Sequence, residues 1–322
     1  MNKNTIARVD YRDYISGDPE RKARFIKTFG DSFANMGFAI VANHGVENDL
    51  RNSLFDCVKS FFDLDDETKK RYEDMALNGQ RGYISRNRES AKDQKVPDLK
   101  EFFHIGQELD EAQLEALGYP GNVWVDESPC LRETGLEVFR TFSDTGRDLL
   151  RAIALYLDLD EYYFDDKIQY GNSILRLLHY YPLADVTGIP PGAVRAAAHG
   201  DINLITLLMG GSAAGLQAQT LEGEWIDVSP ANDEIVINIG DMLERLTNGK
   251  LRSTQHRVVN PEDLEELKKP RYSTPFFLHP NSDMDLSCLP NCIDDDHPKR
   301  FEDTSAGEFL DERLRELGLK MK

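Results

Sequence analysis

Three side chains in the second half of the chain have the types and spacing to hold one metal ion. His199 and Asp201 sit two apart in AAAHGDINLITLL, a spacing that turns both side chains to one face where a strand begins. With 7 His in a chain holding 57 Asp and Glu, roughly one His-x-acid pair arises by chance, so the pair needs support from elsewhere. His256 supplies it, in LRSTQHRVVNP at the start of a later run of strand character. In a jelly roll two such strands can lie face to face. Two imidazoles and one carboxylate on the same side of an ion leave positions open for substrate and oxygen, which suits iron(II). Taken alone, His256 reads as an ordinary core or surface histidine.

A second pair offers an anion grip. Arg271 and Ser273, in PRYSTPFF, share a face at a strand start and could hold a carboxylate by charge-assisted hydrogen bonds. Tyr181, in LHYYP, could add a hydroxyl from a neighbouring strand. The plain alternative for Arg271 is a surface ion pair with Glu265 or Glu266. Arg257 and Arg252 are the other guanidinium groups near enough in sequence to serve. Cys288, Cys292 and His297 could be half of a zinc site, though a structural zinc needs four ligands at tighter spacing.

The elements that must position these groups change character along the chain. The first part reads as helical with short extended pieces. Phe25, Phe29, Phe33 and Met36 recur at helical spacing and Gly37 can end that helix. FAIVAN (38–43) reads as a short buried strand, 47–62 as a second amphipathic helix, DLDDETKKRY as the start of another, and 131–157 as a long one built on Leu136, Phe139, Leu149, Leu150 and Ile153. From Ile174 to about His279 short β-rich runs alternate with Gly, Pro and Asn, a texture that predicts a sandwich or jelly roll. MLERLTNG interrupts it with a short helix, and Ser305, Glu308, Phe309, Leu310, Leu314 and Leu317 predict a capped terminal helix. The fold class expected is mixed α/β with a mainly β core: a jelly roll at 166–285, a helical and mixed region at 1–165 packed on it, and a C-terminal segment and helix at 286–322, together one compact unit.

Composition narrows the function. The chain has 322 residues, 40% hydrophobic and 30% charged, with a formal charge of -19, so it is an ordinary globular composition whose surface repels phosphate backbones and anionic lipid. Nucleic-acid and membrane partners are not expected, and an anionic ligand needs Arg or Lys placed locally. Four sparse cysteines argue against a disulfide framework and for a reducing cytoplasm. The start of the chain shows no signal-peptide core and no stretch has the apolar length of a membrane span.

In its ordered segments the chain resembles the iron(II) and 2-oxoglutarate dioxygenases of the isopenicillin N synthase-like superfamily. The segments are MGFAIVANHGV, RGY, DLKEFFHIG, LHYYP, HGDINLITLL, GLQAQTLEGEWIDVSP, INIGDMLERLTNGKLRSTQHRVVNP and RYSTPFF, so the likeness spans nearly the whole chain. The turn NPEDLEELKKP between His256 and Arg271 is slightly enlarged beside many relatives. The resemblance implies iron(II) ligation by His199, Asp201 and His256. It implies a 2-oxoglutarate cosubstrate held through its far carboxylate by Arg271 and Ser273, with Tyr181 nearby. It implies oxygen-dependent conversion of 2-oxoglutarate to succinate and carbon dioxide, coupled to hydroxylation, desaturation or cyclisation of a small organic substrate. Rival readings are an oxidase of the same superfamily that needs no 2-oxoglutarate, an ethylene-forming enzyme, and, from a different class, a non-catalytic β-sandwich binding module. Tyr83, Phe102, Phe103, Phe277 and Leu278 are candidate substrate liners, each with core packing as the competing explanation. The oligomeric state is not legible.

Overall fold

The computed structural model describes residues 4–77, 79–86, 88, 99–183, 194–210, 215–261 and 263–316. The strands are β1 (Ala7–Asp10), β2 (Phe38–Ala42), β3 (Gly82–Ile84), β4 (Glu101–Gly106), β5 (Ile174–Tyr180), β6 (Ala196–His199), β7 (Ile205–Gly210), β8 (Leu216–Gln219), β9 (Trp225–Asp227), β10 (Glu234–Ile239), β11 (His256–Val258) and β12 (Arg271–Leu278). They form an eight-stranded sheet, β1-β2-β10-β7-β12-β5-β4-β3, and a four-stranded sheet, β6-β11-β8-β9. The two face each other as a jelly roll with a helical layer outside the larger sheet.

The helices follow the predicted apolar stripes. Pro19–Met36 begins on an Asp18 cap and ends at Gly37 in the left-handed region. A Cβ at Gly37 would collide with the Arg252 carbonyl and the Thr254 hydroxyl, so only glycine lets the chain turn there into β2. Asn48–Phe62 and Cys130–Tyr156 pack together. Ser305 and Glu308 make reciprocal cap bonds before Ala306–Glu316; Leu317 lies outside the described residues.

Alternation along each strand divides the large sheet into two faces. Tyr272, Thr274, Phe276 and Leu278 of β12 look toward the helices, where Phe276 meets Phe139 edge-on at 5.1 Å. Arg271, Ser273 and Phe277 look the other way, toward the small sheet. Phe38 of β2 shows that this inner face reaches across, with its ring 5.7 Å from that of His256. Phe38, Ile40, Leu216, Ala218, Val236 and Val258 fill one end of the space between sheets.

The N-terminal region, read as helical with short extended pieces, has the strand expected at 38–43 as β2 and also supplies β1, β3 and β4. It donates β1 and β2 to one edge of the large sheet and β3 and β4 to the other. The cysteine expectation is corrected: Cys57 and Cys130 form a disulfide that joins two of the packed helices. A sequence separation of 73 says nothing about helices that lie side by side.

Candidate metal and cosubstrate site

His199 is the last residue of β6 and His256 the first of β11, and the two are paired directly across neighbouring antiparallel strands. They meet within one sheet, not across two facing strands, and their ring centroids are 4.4 Å apart. Asp201 lies beyond the end of β6, so strand alternation does not place it. Its carboxylate is drawn in by the opposite sheet: Oδ2 accepts from Thr206 Oγ1 of β7 at 2.6 Å and from Asn238 Nδ2 of β10 at 2.8 Å.

Each of the three groups has one atom occupied and one turned inward. His199 Nδ1 bonds to the Ala197 carbonyl at 2.7 Å and His256 Nδ1 to that of Thr254 at 3.2 Å. Both bonds favour the tautomer whose Nε2 lone pair is available to a metal. His256 Nε2 is 3.8 Å from Asp201 Oδ1, and one ligand atom from each residue falls within 4.8 Å of the others. Burial, then His256, holds the His199 imidazole down to about 4. Burial works to raise Asp201, but the two imidazoles and the bonds from Asn238 and Thr206 outweigh it and leave the carboxyl below its ordinary value. At neutral pH Asp201 is therefore a carboxylate and His199 a neutral donor, and together with His256 Nε2 they form a donor set that fits a divalent transition metal with open positions.

The anion grip is built on β12. Arg271 and Ser273 are both buried, and Arg271 pairs across the ladder with Tyr180, whose ring lies 4.8 Å from the guanidinium. Tyr181 falls one residue past β5, where its ring carries the Arg86 guanidinium at 4.4 Å. Sequence reasoning missed Tyr180 and also Arg195, a second buried guanidinium 5.9 Å from the same ring. Burial, then Arg271, pushes Arg195 below the ordinary guanidinium range. The other candidate cations lie elsewhere: Arg257 covers Trp225 and Arg252 donates to the Asn35 carbonyl.

Parity sorts the five candidate liners. Tyr83, Phe103 and Leu278 enter the helix-side core, whereas Phe102 joins Ile84, Leu178 and Tyr180 in a separate inner cluster, and Phe277 stands opposite Thr206. Cys288 donates to the Arg245 carbonyl and His297 is exposed; among the described residues the only metal-ligating cluster is His199, Asp201 and His256.

A family model described as non-haem dioxygenase in morphine synthesis N-terminal matches residues 6–127, and that of the 2OG-Fe(II) oxygenase superfamily matches residues 171–280. Kihadalactone A synthase of Citrus sinensis is 34% identical, over 95% of this chain and 91% of its own. Among solved structures, a 2OG-Fe(II) oxygenase family protein from Caulobacter crescentus is 42% identical with a TM-score of 0.86, covering 97% of this chain and 99% of that one. A full-length Neurospora crassa protein, solved in complex with alpha-KG and thymine, is 31% identical with a TM-score of 0.86, covering 98% of this chain and 97% of that one.

Proposed function

Because the chain belongs to the 2OG-Fe(II) oxygenase superfamily, we propose that His199, Asp201 and His256 are its iron ligands and that Arg271 and Ser273 hold the far carboxylate of 2-oxoglutarate. The protein is an iron(II)- and 2-oxoglutarate-dependent dioxygenase, an oxidoreductase that uses oxygen to convert 2-oxoglutarate to succinate and carbon dioxide while oxidising a small organic substrate. A 2-oxoglutarate-independent oxidase is not favoured, since the similar proteins include several named for 2-oxoglutarate. Iron(II) held by these residues would activate oxygen, which supplies the oxidising equivalents for the substrate. The chain's own residues position and exclude. Thr206 and Asn238 fix the Asp201 carboxylate, and the Ala197 and Thr254 carbonyls fix the imidazole tautomers. Tyr180 backs the Arg271 guanidinium on the same inner face; Tyr181, the residue expected to offer a hydroxyl contact, is engaged with Arg86.

The single observation that carries the assignment is the convergence of one ligand atom each from His199, Asp201 and His256, with the second atom of every group already bonded. Anaerobic addition of iron(II) and then 2-oxoglutarate should give a visible charge-transfer band. The band should vanish in His199→Ala and Asp201→Ala. Its absence in the wild type, or its survival undiminished in those variants, defeats the assignment.

We further propose that residues 1–165 pack on a core at 166–285 as one unit, which the shared eight-stranded sheet supports. No helix among the described residues is long and apolar enough to cross a membrane. A cytoplasmic location is proposed from composition, and the Cys57–Cys130 bridge is the observation that opposes it.

A further inference from the structure

Strand pairing places two of the three proposed ligands and leaves the third to another device. His199 and His256 are partners in the β6–β11 ladder, whereas Asp201 lies past the end of β6, outside both sheets. Thr206 and Asn238 orient its carboxylate, but those bonds turn a side chain and do not hold a main chain. The main chain is held by the start of a short helix, Asp241–Leu246. That helix opens on Gly240 with no side-chain cap, so its first amides need acceptors from elsewhere. They take the ligand segment itself: the Gly240 amide donates to the Leu204 carbonyl at 2.9 Å, that of Asp241 to the Asp201 carbonyl at 2.7 Å, and that of Met242 to the Ile202 carbonyl at 3.2 Å. Residues 201–204 therefore cap this helix, and the helix fixes where Asp201 stands.

The first residue of that helix also reaches the segment that leads into β11. Asp241 Oδ1 accepts from Ser253 Oγ at 2.6 Å, and the Ser253 amide donates to Glu244 Oε1 at 3.3 Å. Ser253 comes three residues before His256, and the carbonyl of Thr254, next after it, bonds to the His256 ring. Gly200, between His199 and Asp201, closes against the same contact. A Cβ there would stand 3.2 Å from both Asp241 Oδ1 and Ser253 Oγ and 3.1 Å from Gln255 Nε2, so any larger residue would crowd the two segments apart. Through one residue, Asp241, the backbone of one ligand and the approach to another are tied together.

We propose that Asp241 is a positioning residue for the metal: its amide holds the Asp201 backbone, its carboxyl group holds Ser253, and the short helix between them sets how far the carboxylate ligand stands from the two imidazoles. The inference rests on the ligand assignment above. Thr206 and Asn238 cannot do this work, because both act on the Asp201 side chain alone. A donor set whose spacing is preset loses less conformational freedom when an ion binds, so the link should appear as metal affinity and donor geometry.

The test is anaerobic titration with iron(II), followed by the charge-transfer band with 2-oxoglutarate, in wild type, Asp241→Ala, Ser253→Ala, the double variant and Ser253→Thr. Either alanine should weaken iron(II) binding by about tenfold or more, while the metal-free protein keeps the circular dichroism of wild type. The double variant should be no weaker than the weaker single one, since both changes remove one link. Ser253→Thr, which keeps the hydroxyl, should return the affinity to near that of wild type. At saturating iron(II) and 2-oxoglutarate the band of either alanine variant should be displaced in wavelength, a change that lost stability alone would not produce. Ser253→Ala, which leaves the helix amides in place, decides the matter if Asp241→Ala does not fold. Wild-type affinity with an undisplaced band in Ser253→Ala overturns the inference and leaves the ligand assignment standing, and so do losses that multiply in the double variant. Absence of the band in wild type defeats the ligand assignment and this inference together.

Discussion

The second atoms of the ligand groups decide how well an ion is held. Thr206 and Asn238 both bond to Asp201 Oδ2, leaving Oδ1 as the one oxygen facing His256. Removing either hydroxyl or amide should let the carboxylate rotate and lose donor alignment, and outer partners of this kind change metal affinity by roughly 10- to 100-fold. Thr206→Val and Asn238→Leu should therefore weaken iron(II) binding by about that factor in a direct titration, with unchanged circular dichroism; affinity equal to wild type would show the bonds to be incidental. Arg271→Ala acts on the other ligand. Loss of a hydrogen bond to a charged group, about 1.5–3 kcal/mol, should raise the 2-oxoglutarate concentration needed for the charge-transfer band by about 10- to 150-fold, with iron affinity nearly unchanged. An unchanged requirement would transfer the role to Arg195. Of this site, the residues that touch the ion or carboxylate were legible because their side-chain chemistry is rare and their spacing short. Thr206, Asn238, Tyr180 and Arg195 were not, because nothing in a Thr or an Asn announces the carboxylate that folding brings to it.

At the scale of elements, β4 shows both what periodicity misses and what it costs to be wrong about a face. All six residues of Glu101–Gly106 are buried, so the strand has no alternation of polar and apolar positions to read. Strands β7 and β10 were found because Gly, Pro and Asn punctuate their ends. On the helix-side face of β4, Glu101 is fully buried among Lys69, Tyr83, His179 and Arg86. Burial works to raise its carboxyl, but His179, Tyr83, Lys69 and Arg86 outweigh it and hold it to about 2 against 4.5. Since the folded value is lowered, the unfolded state binds the proton first as pH falls. The contribution is thus complete above about 4.5 and is lost as pH drops toward 2, amounting to about 3 kcal/mol. Glu101→Gln should destabilise at neutral pH, because the buried Lys69 loses its buried carboxylate and keeps only that of the exposed Asp66, at 3.1 Å. The gap from wild type should narrow steadily below about pH 4.5 in denaturant titrations. A gap that is constant from about pH 6 to 3 would mean the network is held by packing and not by charge.

The whole molecule is organised by a loop that the sequence alone does not close. Between Cys57 and Cys130 the chain forms β3 and β4, the edge of the large sheet that carries Phe102 and His104, and the disulfide returns it to the helical layer. Joining residues separated by 73 positions removes unfolded-state freedom worth about 4 kcal/mol in the chain-entropy account. At about 2.1 cal/mol/K per residue, each kcal/mol moves the melting temperature of a chain of 322 residues by about 1.5 °C. Reduction should therefore lower the melting temperature by about 6 °C, and Cys57→Ser with Cys130→Ser should reproduce that drop without a reductant. Thiol counting is the control: denatured but unreduced protein should expose two reactive thiols, Cys288 and Cys292, and four after reduction. Four thiols before reduction, with a melting temperature indifferent to reductant, would refute the bridge. Because a cytosol keeps thiols reduced, that same result obtained on protein trapped with alkylating agent at the moment of lysis would support the cytoplasmic proposal, whereas two thiols would count against it.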